Sequence, residues 1–441
     1  MTSPRLLRVT AAAVTAAVCV LLVGAAAPTE ADPTKPPKDD DKKASQDWVR
    51  DAEYWIDGAG FSDAWKKTKG KGTVIAIIDT GIGTPPDVFD GAVIDGTDVS
   101  GSGSSDGRTP VGPIDSDHGT WVASLAASRG NPDGTGVIGV APEASLLAVS
   151  LGIGASAAVP FIDQVPKGIK WAVDHGADVI NLSFTTNTLD WDESWDDAFL
   201  YAYEHDVVVV AAAGNRGTGT EVVGAPATIP GVLTVGGVDQ HGEASWEAST
   251  QGITIGVSAP SEGLVGVSPN GEVVQWPGTS GAAPIVAGAV ALVRAAHPDL
   301  DAANVINRIV QTAKPAEDAD SHPDPIYGYG LLDAEAAVND TVAHVDENPM
   351  GDLKEWIRVH RRAESEPAPE PDVQPTALPP LPPADAPTAA SSPLIPSAES
   401  LRYGTLPLLA ITVPGILIGL GVTAAARHIR SARGSRAPDT P

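Results

Sequence analysis

Apolar residues in the central part of the chain form short continuous runs, and these runs alternate with longer segments of helical periodicity. Short apolar runs bounded by turn residues are typical of strands that are buried on both faces. The predicted strands cover residues 73–78, 145–149, 178–183, 207–210 and 231–235. The predicted helices cover residues 165–175 and 191–205, and another begins near residue 280. The alternation predicts an α/β fold with a mostly parallel central sheet and helices on both faces.

The two ends of the chain carry apolar segments of a different kind. Residues 1–31 combine Arg5 and Arg8 with an Ala-rich and Leu-rich run and a small residue at the end, which is the pattern of a signal peptide. Residues 406–426 hold no charge and predict a transmembrane helix, and the basic segment 427–441 follows them. Because basic flanks stay in the cytoplasm, we expect a single-pass protein of the cell membrane whose main domain is extracellular.

Three further segments are predicted between these ends. Residues 32–46 are polar and form a flexible leader, and residues 47–344 hold all the predicted strands and form the folded domain. Residues 345–405 comprise a segment next to that domain and a stalk rich in proline and alanine. Proline-rich sequence of this kind is extended and semi-rigid.

Charge and cysteine content exclude several classes of function. The formal net charge is −28 over 441 residues, whereas binding to nucleic acid needs clustered Lys and Arg. The one cysteine, Cys19, lies in the predicted signal peptide. The mature chain is therefore expected to have no disulfide, no cysteine-based metal site and no thiol nucleophile.

Three short stretches contain the residues that could carry chemistry. Asp79 ends a predicted strand in IIDTGI, His118 lies in DSDHGTWVAS, and Ser280 lies in PGTSGAAP at the start of a predicted helix. A serine hydroxyl becomes a good nucleophile when a histidine takes its proton, and a carboxylate orients that histidine. Each residue alone has an ordinary interpretation as a turn or helix-cap residue. The combination, in the chain order Asp, His, Ser, is much more specific.

Two other hydrolase mechanisms fit the sequence less well. The tripeptide at 79–81, Asp-Thr-Gly, is also the signature of aspartic proteases, but those enzymes need a second such motif and the chain has none. An α/β-hydrolase needs Gly-x-Ser-x-Gly, and position 282 is Ala.

The sequence around all three residues resembles the subtilisin-like serine peptidases, or subtilases. The family motifs Asp-Thr/Ser-Gly, His-Gly-Thr-x-Val-Ala and Gly-Thr-Ser-x-Ala-x-Pro match residues 79–81, 118–123 and 278–284. The resemblance implies a subtilisin-like fold, a catalytic triad and acyl-enzyme chemistry on a protein or peptide substrate. It also implies that Asn215 donates to the oxyanion. The implied substrate-binding strand is Ser183, Phe184 and Thr185.

The chain departs from the family pattern at two positions in these motifs. Gly281 stands where many subtilases have Met or another large apolar residue, so we expect looser packing beside Ser280. Thr185 stands where the family usually has Gly, in the wall of the pocket for the P1 residue. Because Thr185 adds a side chain there, we expect a restricted pocket that favours small P1 residues.

A short leader and a C-terminal membrane span further resemble the mycosins, which are membrane-anchored subtilases linked to type VII secretion. This resemblance implies a type VII secretion complex as a partner. Calcium is a common structural ion in subtilases, and the Asp-rich residues 39–41 and 190–197 invite that interpretation. Neither stretch has EF-hand-like spacing, so no metal site and no required cofactor are predicted.

The sequence therefore predicts a membrane-anchored serine endopeptidase. The alternative from a different class is a catalytically silent subtilase scaffold that serves as a structural partner in a membrane secretion complex.

Overall fold

The computed structural model describes residues 47–85, 87–112, 116–152 and 157–361, and part of the segment 410–427. The chain divides into two units, residues 1–365 and 366–441. The predicted signal peptide, leader and stalk lie outside the described residues, as do the tail after Arg427 and part of the predicted transmembrane helix.

The first unit is built on a seven-stranded sheet in which every strand pairing is parallel. Its strands are β1 (Val74–Asp79), β2 (Val93–Asp98), β3 (Ser145–Ser150), β4 (Val179–Leu182), β5 (Val208–Ala212), β6 (Leu233–Val238) and β7 (Ile255–Pro260). They lie in the order β2-β3-β1-β4-β5-β6-β7. An antiparallel hairpin, β8 (Leu264–Val267) and β9 (Val273–Trp276), follows the last strand. The parallel sheet confirms the predicted α/β class.

Helices cover both faces of this sheet. They are α1 (Trp48–Ala52), α2 (Trp55–Gly58), α3 (Phe61–Ala64), α4 (His118–Ala127), α5 (Phe161–Asp174), α6 (Asp196–Glu204), α7 (Thr279–Ala296), α8 (Ala302–Gln311), α9 (Ala334–Asn339) and α10 (Leu353–His360). Short 3₁₀ turns lie at Glu193–Trp195 and Arg216–Thr218.

Alternation along the strands divides the core into two layers. In β1, Ile75 and Ile77 pack with the apolar residues of α4 and α7, whereas Ala76 and Ile78 pack with those of α5 and α6. Successive side chains of a strand point to opposite faces, and here both faces are buried. This explains why the strands are continuously apolar rather than alternating in the sequence.

Helix α7 lies deep in the first of these layers. It is the one helix among the described residues that is long and apolar enough to cross a membrane, and 83% of it is buried in the fold. Its composition therefore reflects its position in the core. Further along the chain, all described residues between 410 and 427 are helical and exposed.

The sequence analysis did not predict strands β2 and β7 or the β8–β9 hairpin. Strand β2 reads VIDGTD and lies at the edge of the sheet, where most of its side chains are partly or fully exposed. Because most of its side chains stay partly exposed, this strand needs no continuous apolar run. Its sequence therefore lacks the pattern on which the other strands were predicted.

Ordered structure extends past residue 344 to Arg361, because α10 packs on the domain. Leu353 is buried in the second core layer. Trp356 packs on Trp191 with ring centroids 4.4 Å apart, and Arg361 forms an ion pair with Asp196. Residues 345–361 thus belong to the same packed unit as the sheet.

At the other end of the domain, a buried carboxyl group joins the N-terminal segment to the loop after α4. Glu53 is 3% exposed, and its Oε1 accepts a hydrogen bond from Ile138 N at 2.7 Å. Burial, the largest cause, raises the pKa of Glu53 to about 8, against an ordinary value of 4.5. Burial disfavours the charged form of a carboxyl group, so the folded protein holds Glu53 protonated at neutral pH.

We predict a pH dependence of stability that is specific to Glu53. Between pH 4.5 and about 8 the folded state binds a proton that the unfolded state has lost, so the free energy of unfolding falls as pH rises. Glu53→Gln, which is neutral at every pH, should make thermal unfolding less dependent on pH across this window. Glu143→Gln, at an exposed position, is the control and should keep the wild-type slope. If the midpoint of thermal unfolding changes equally with pH in wild type and Glu53→Gln, the prediction is contradicted.

Candidate active site

The predicted site residues come together at the carboxyl edge of the sheet. Asp79 ends β1, Ser183 follows β4 and Asn215 follows shortly after β5. His118 and Ser280 are supplied by the N-terminal turns of α4 and α7. In a parallel sheet this edge collects the loops that follow the strands, which explains how distant parts of the sequence meet.

Asp79 and His118 form a closely paired dyad. His118 Nδ1 lies 2.8 Å from Asp79 Oδ1 and 3.0 Å from Oδ2. The Asp79 side chain is fully buried, and the His118 side chain is 19% exposed. Because an ionised carboxylate only accepts hydrogen bonds, this contact makes Nδ1 the donor, and in a neutral ring Nε2 is then the acceptor.

Two hydrogen bonds with backbone N–H donors hold the two ends of this dyad. Thr80 N donates to Asp79 Oδ1 at 2.7 Å, and Gly119 N donates to Thr80 Oγ1 at 2.8 Å. The start of α4 is thereby attached to the end of β1. This attachment sets the direction from which His118 approaches the carboxylate.

Two tryptophans that the sequence analysis did not single out flank the His118 ring. Trp276 meets it edge-on with centroids 5.6 Å apart, and Trp121 lies 6.4 Å away. Trp121 is held by a hydrogen bond from its Nε1 to Ser268 Oγ at 2.8 Å. The spacing of Trp121, three residues after His118 on one helix, is a sequence signal that places the two rings on the same face.

Ser280 is held by reciprocal hydrogen bonds with Ser183. Ser280 Oγ donates to Ser183 O at 3.0 Å, and Ser183 Oγ donates to Ser280 O at 2.8 Å. Asn181 Nδ2 in turn donates to Ser183 Oγ at 2.9 Å. The structure therefore brings Asp79 to His118, and it brings Ser280 to Ser183, whose carbonyl accepts a hydrogen bond from the Ser280 hydroxyl.

Pro284 explains why the Ser280 carbonyl is available to Ser183. In a regular helix the N–H of residue i+4 donates to the carbonyl of residue i. Residue 284 is proline, which has no N–H. The hydroxyl of Ser183 satisfies the Ser280 carbonyl instead.

The packing around Gly281 is tight, so the expectation of looser packing beside Ser280 was wrong. A Cβ atom at position 281 would lie 2.3 Å from Leu264 Cδ1 and 3.2 Å from the Trp276 ring. The hairpin β8–β9 therefore fills the space that a larger side chain at 281 would need. The absence of a side chain at Gly281 is compensated by its neighbours in the fold.

Asn215 is oriented by the residue that precedes Ser280. Thr279 N and Thr279 Oγ1 both donate to Asn215 Oδ1 at 2.8 Å. Because a backbone N–H can only donate, this end of the amide must be the oxygen. The Nδ2 end lies beside Gly278, whose φ is +141° and where a Cβ atom would come within 2.9 Å of Nδ2. Glycine at 278 thus leaves room for an amide donor next to Ser280.

The proposed substrate-binding strand divides its side chains between core and surface. Phe184 is buried and packs edge-on against Phe161, with ring centroids 5.3 Å apart, so its side chain belongs to the core. Thr185 is half-buried, and its methyl group would lie 3.1 Å from a Cβ atom at Gly214. The Thr185 side chain thus occupies space between the chain segments that follow β4 and β5.

The residues that the structure describes contain no cluster of three or more His, Cys, Asp or Glu side chains that could hold a metal ion. What the site contains is a buried carboxylate, a histidine that it orients, a hydroxyl at a helix start and an amide donor. These are the groups with which serine peptidases cleave peptide bonds.

Comparison with known proteins agrees with that class. The pattern that defines the Subtilase family, peptidase S8, matches residues 70–330. The chain therefore belongs to this family of subtilisin-type serine peptidases.

Relatives of two kinds resemble the chain. Subtilisin DY of Bacillus licheniformis is 37% identical over 61% of this chain and 92% of its own length. Mycosin-4 of Mycobacterium tuberculosis is 31% identical over 64% of this chain and 68% of its own length. The structure of the MycP3 protease from the type VII (ESX-3) secretion system has a TM-score of 0.54 at 30% identity, over 66% of this chain and 88% of that one.

Proposed function

We propose that the chain is an endopeptidase in which Asp79, His118 and Ser280 form a catalytic triad and Asn215 contributes to the oxyanion hole. The observation that carries the proposal is the buried Asp79–His118 pair, at 2.8 Å, on the same sheet edge as Ser280. A carboxylate in this position fixes the tautomer and orientation that a general base needs.

The proposed reaction starts with a reorientation of the Ser280 hydroxyl. The O–H bond turns from Ser183 O to Nε2 of His118, and Nε2 takes the proton as Oγ attacks the scissile carbonyl. Asn215 Nδ2 and the backbone N–H of Ser280 donate to the oxyanion as it forms. His118 then protonates the departing amine, and water releases the acyl-enzyme through the same groups.

We predict that Ser280→Ala, His118→Ala and Asp79→Asn each lower kcat by roughly 10⁴- to 10⁶-fold, and that double variants lose little more, because the three groups act as a unit. Asn215→Ala should lower kcat by about 10²–10³-fold, since it removes one donor to the oxyanion. The measurements are peptide turnover and labelling of the chain by a fluorophosphonate probe. If the wild-type chain is neither labelled nor active on a peptide library, the silent-scaffold function replaces this one.

Substrate selection at the P1 position is proposed to depend on Thr185. The Thr185 side chain lies against Gly214 at the place where the family usually has no side chain. A pocket narrowed in this way favours small P1 residues such as alanine.

We predict that Thr185→Gly shifts the P1 profile from small residues towards large apolar ones, by roughly tenfold or more in relative kcat/KM. The added pocket volume accepts longer side chains, and about one extra methylene group accounts for a change of this size. Thr186→Gly, at the next position on the strand, is the matched control and should keep the preference for alanine. A wild-type profile dominated by Phe, Tyr or Leu would contradict the narrow pocket.

We also propose that the peptidase is anchored in the cell membrane by residues 406–426, with the tail from Arg427 in the cytoplasm. In support, the described residues of this segment are helical and expose Val413, Ile416, Leu417 and Leu420. Apolar side chains exposed along a helix are stable in lipid. The resemblance to Mycosin-4 and to MycP3 supports action beside a type VII secretion complex.

Deleting residues 406–441 should release the protein from the membrane fraction into the medium, because the apolar span is lost. Fractionation followed by immunoblotting measures this. Replacing only Arg427, Arg430 and Arg433 by Gln is the control, and that variant should stay membrane-bound. Retention of the deleted form in the membrane would show that another segment anchors it.

A further inference from the structure

An open cleft of about 740 Å³ begins beside the proposed oxyanion hole. Asn215 and Gly278 form its near end, and Glu262 and Gly263 line it further on. Trp276, which also flanks His118, contributes to the wall. A cleft in this position adjoins the reacting bond of any peptide that Ser280 attacks.

The order of strands determines the direction in which the cleft runs. Along the sheet edge, β4 is followed by β5, β6 and β7. Ser183 follows β4, Asn215 follows β5 and Glu262 follows β7. The cleft therefore extends from Asn215 away from the Ser183 strand. If the Ser183–Thr185 strand holds the acyl side of the substrate, as the proposed function requires, this cleft receives the residues after the scissile bond.

A second cleft of about 380 Å³ continues the first, since both are lined by Glu262, Gly263 and Gln275. Its outer wall comes from the N-terminal segment, through Asp51 and Tyr54. Tyr54 holds that segment in place with a hydrogen bond from its hydroxyl to Glu262 O at 2.8 Å.

The charged side chains that line these two clefts are all acidic: Asp51, Asp239, Glu247 and Glu262. None of the described lining residues is Lys, Arg or His. The pKa of Tyr54 is raised, mainly by burial, and the charges of Asp239 and Glu262 add a smaller contribution in the same direction.

An exposed aromatic ring stands at the same cleft. Trp246 is 75% exposed and lines the first cleft next to Glu247. The guanidinium of Arg216 lies 4.2 Å from its ring centroid, so the indole is already in contact with one cation of the chain. Long basic side chains bind well where their apolar stems can lie on an aromatic surface and their charges can reach carboxylates.

We propose that this acidic cleft selects substrates with lysine or arginine in the first residues after the scissile bond, and that Glu247 and Glu262 are the specificity-determining residues. The inference rests on the proposed peptidase function and deepens it. Carboxylates in a cleft attract a cationic segment more strongly than they do on an open surface, because the walls exclude part of the solvent.

The test uses the full chain in mild detergent and three internally quenched peptides. They share an acyl side ending in alanine and differ only in the two residues after it, which are Lys-Lys, Gln-Gln or Glu-Glu. We expect kcat/KM to fall in that order, with the Lys-Lys peptide ahead of the Gln-Gln peptide by roughly tenfold at low salt. The advantage should shrink at high salt, because ions screen exposed charges.

Two variants test whether the acidic side chains of the cleft cause the preference for the Lys-Lys peptide. Glu247→Gln and Glu262→Gln should each lower the ratio of Lys-Lys to Gln-Gln cleavage by roughly threefold or more. Asp197→Asn removes one exposed charge from α6, on the other face of the sheet, and should leave the ratio unchanged. Equal cleavage of the three peptides by the wild-type chain would overturn the charge selection and leave the peptidase function intact.

Binding to Ser280→Ala separates the two proposals further. Fluorescence anisotropy with this variant should give tighter binding of the Lys-Lys peptide than of the Gln-Gln peptide without any turnover. If the wild-type chain is inactive and unlabelled but this difference remains, the peptidase function fails and the acidic cleft stands as a binding site. If the difference is missing, the charge selection fails.

Discussion

The burial of helix α7 in the core is the constraint on which the rest of the site depends. Its residues Ile285, Val286, Val290 and Val293 are completely buried against the sheet, so the helix has no freedom to slide or tilt without opening a cavity in a close-packed interior. Ser280 lies at the N-terminal end of this helix. A hydroxyl at this end of the helix is held in place by the rigid core, although it is partly exposed.

Backbone groups at the start of α7 that have no partner within the helix form hydrogen bonds with neighbouring residues instead. Pro284 leaves the Ser280 carbonyl without a helical donor, and Ser183 supplies it. Thr279 uses its N–H, which helix geometry also leaves unpaired, to hold the oxygen end of Asn215. The irregular start of this one helix thus connects the segments that follow two neighbouring strands, β4 and β5. The charged residues that line the cleft beyond Asn215 are all acidic, in a chain whose formal net charge is −28.

Much of this architecture could be predicted from particular residues. The apolar run before Asp79 and the run before Ser183 identified buried parallel strands, because only a strand covered on both faces is continuously apolar. The order of Asp79, His118 and Ser280 pointed to one class of peptidase. Strand β2 and helix α10 could not be found in this way. The side chains of β2 are mostly exposed or partly exposed, and α10 buries only Leu353, so neither has the pattern of a core element.

The sequence by itself determined the chemical types present, their order along the chain and the strands that carry them, since these follow from local periodicity and residue chemistry. Only the tertiary structure decided how those groups face one another. It showed that Leu264 and Trp276 occupy the space at Gly281, that Thr279 orients Asn215, and that the Ser280 hydroxyl is bonded to Ser183. It also brought Glu247 and Glu262 to the same cleft. These contacts join residues far apart in the chain, and their distances depend on packing that no local pattern encodes.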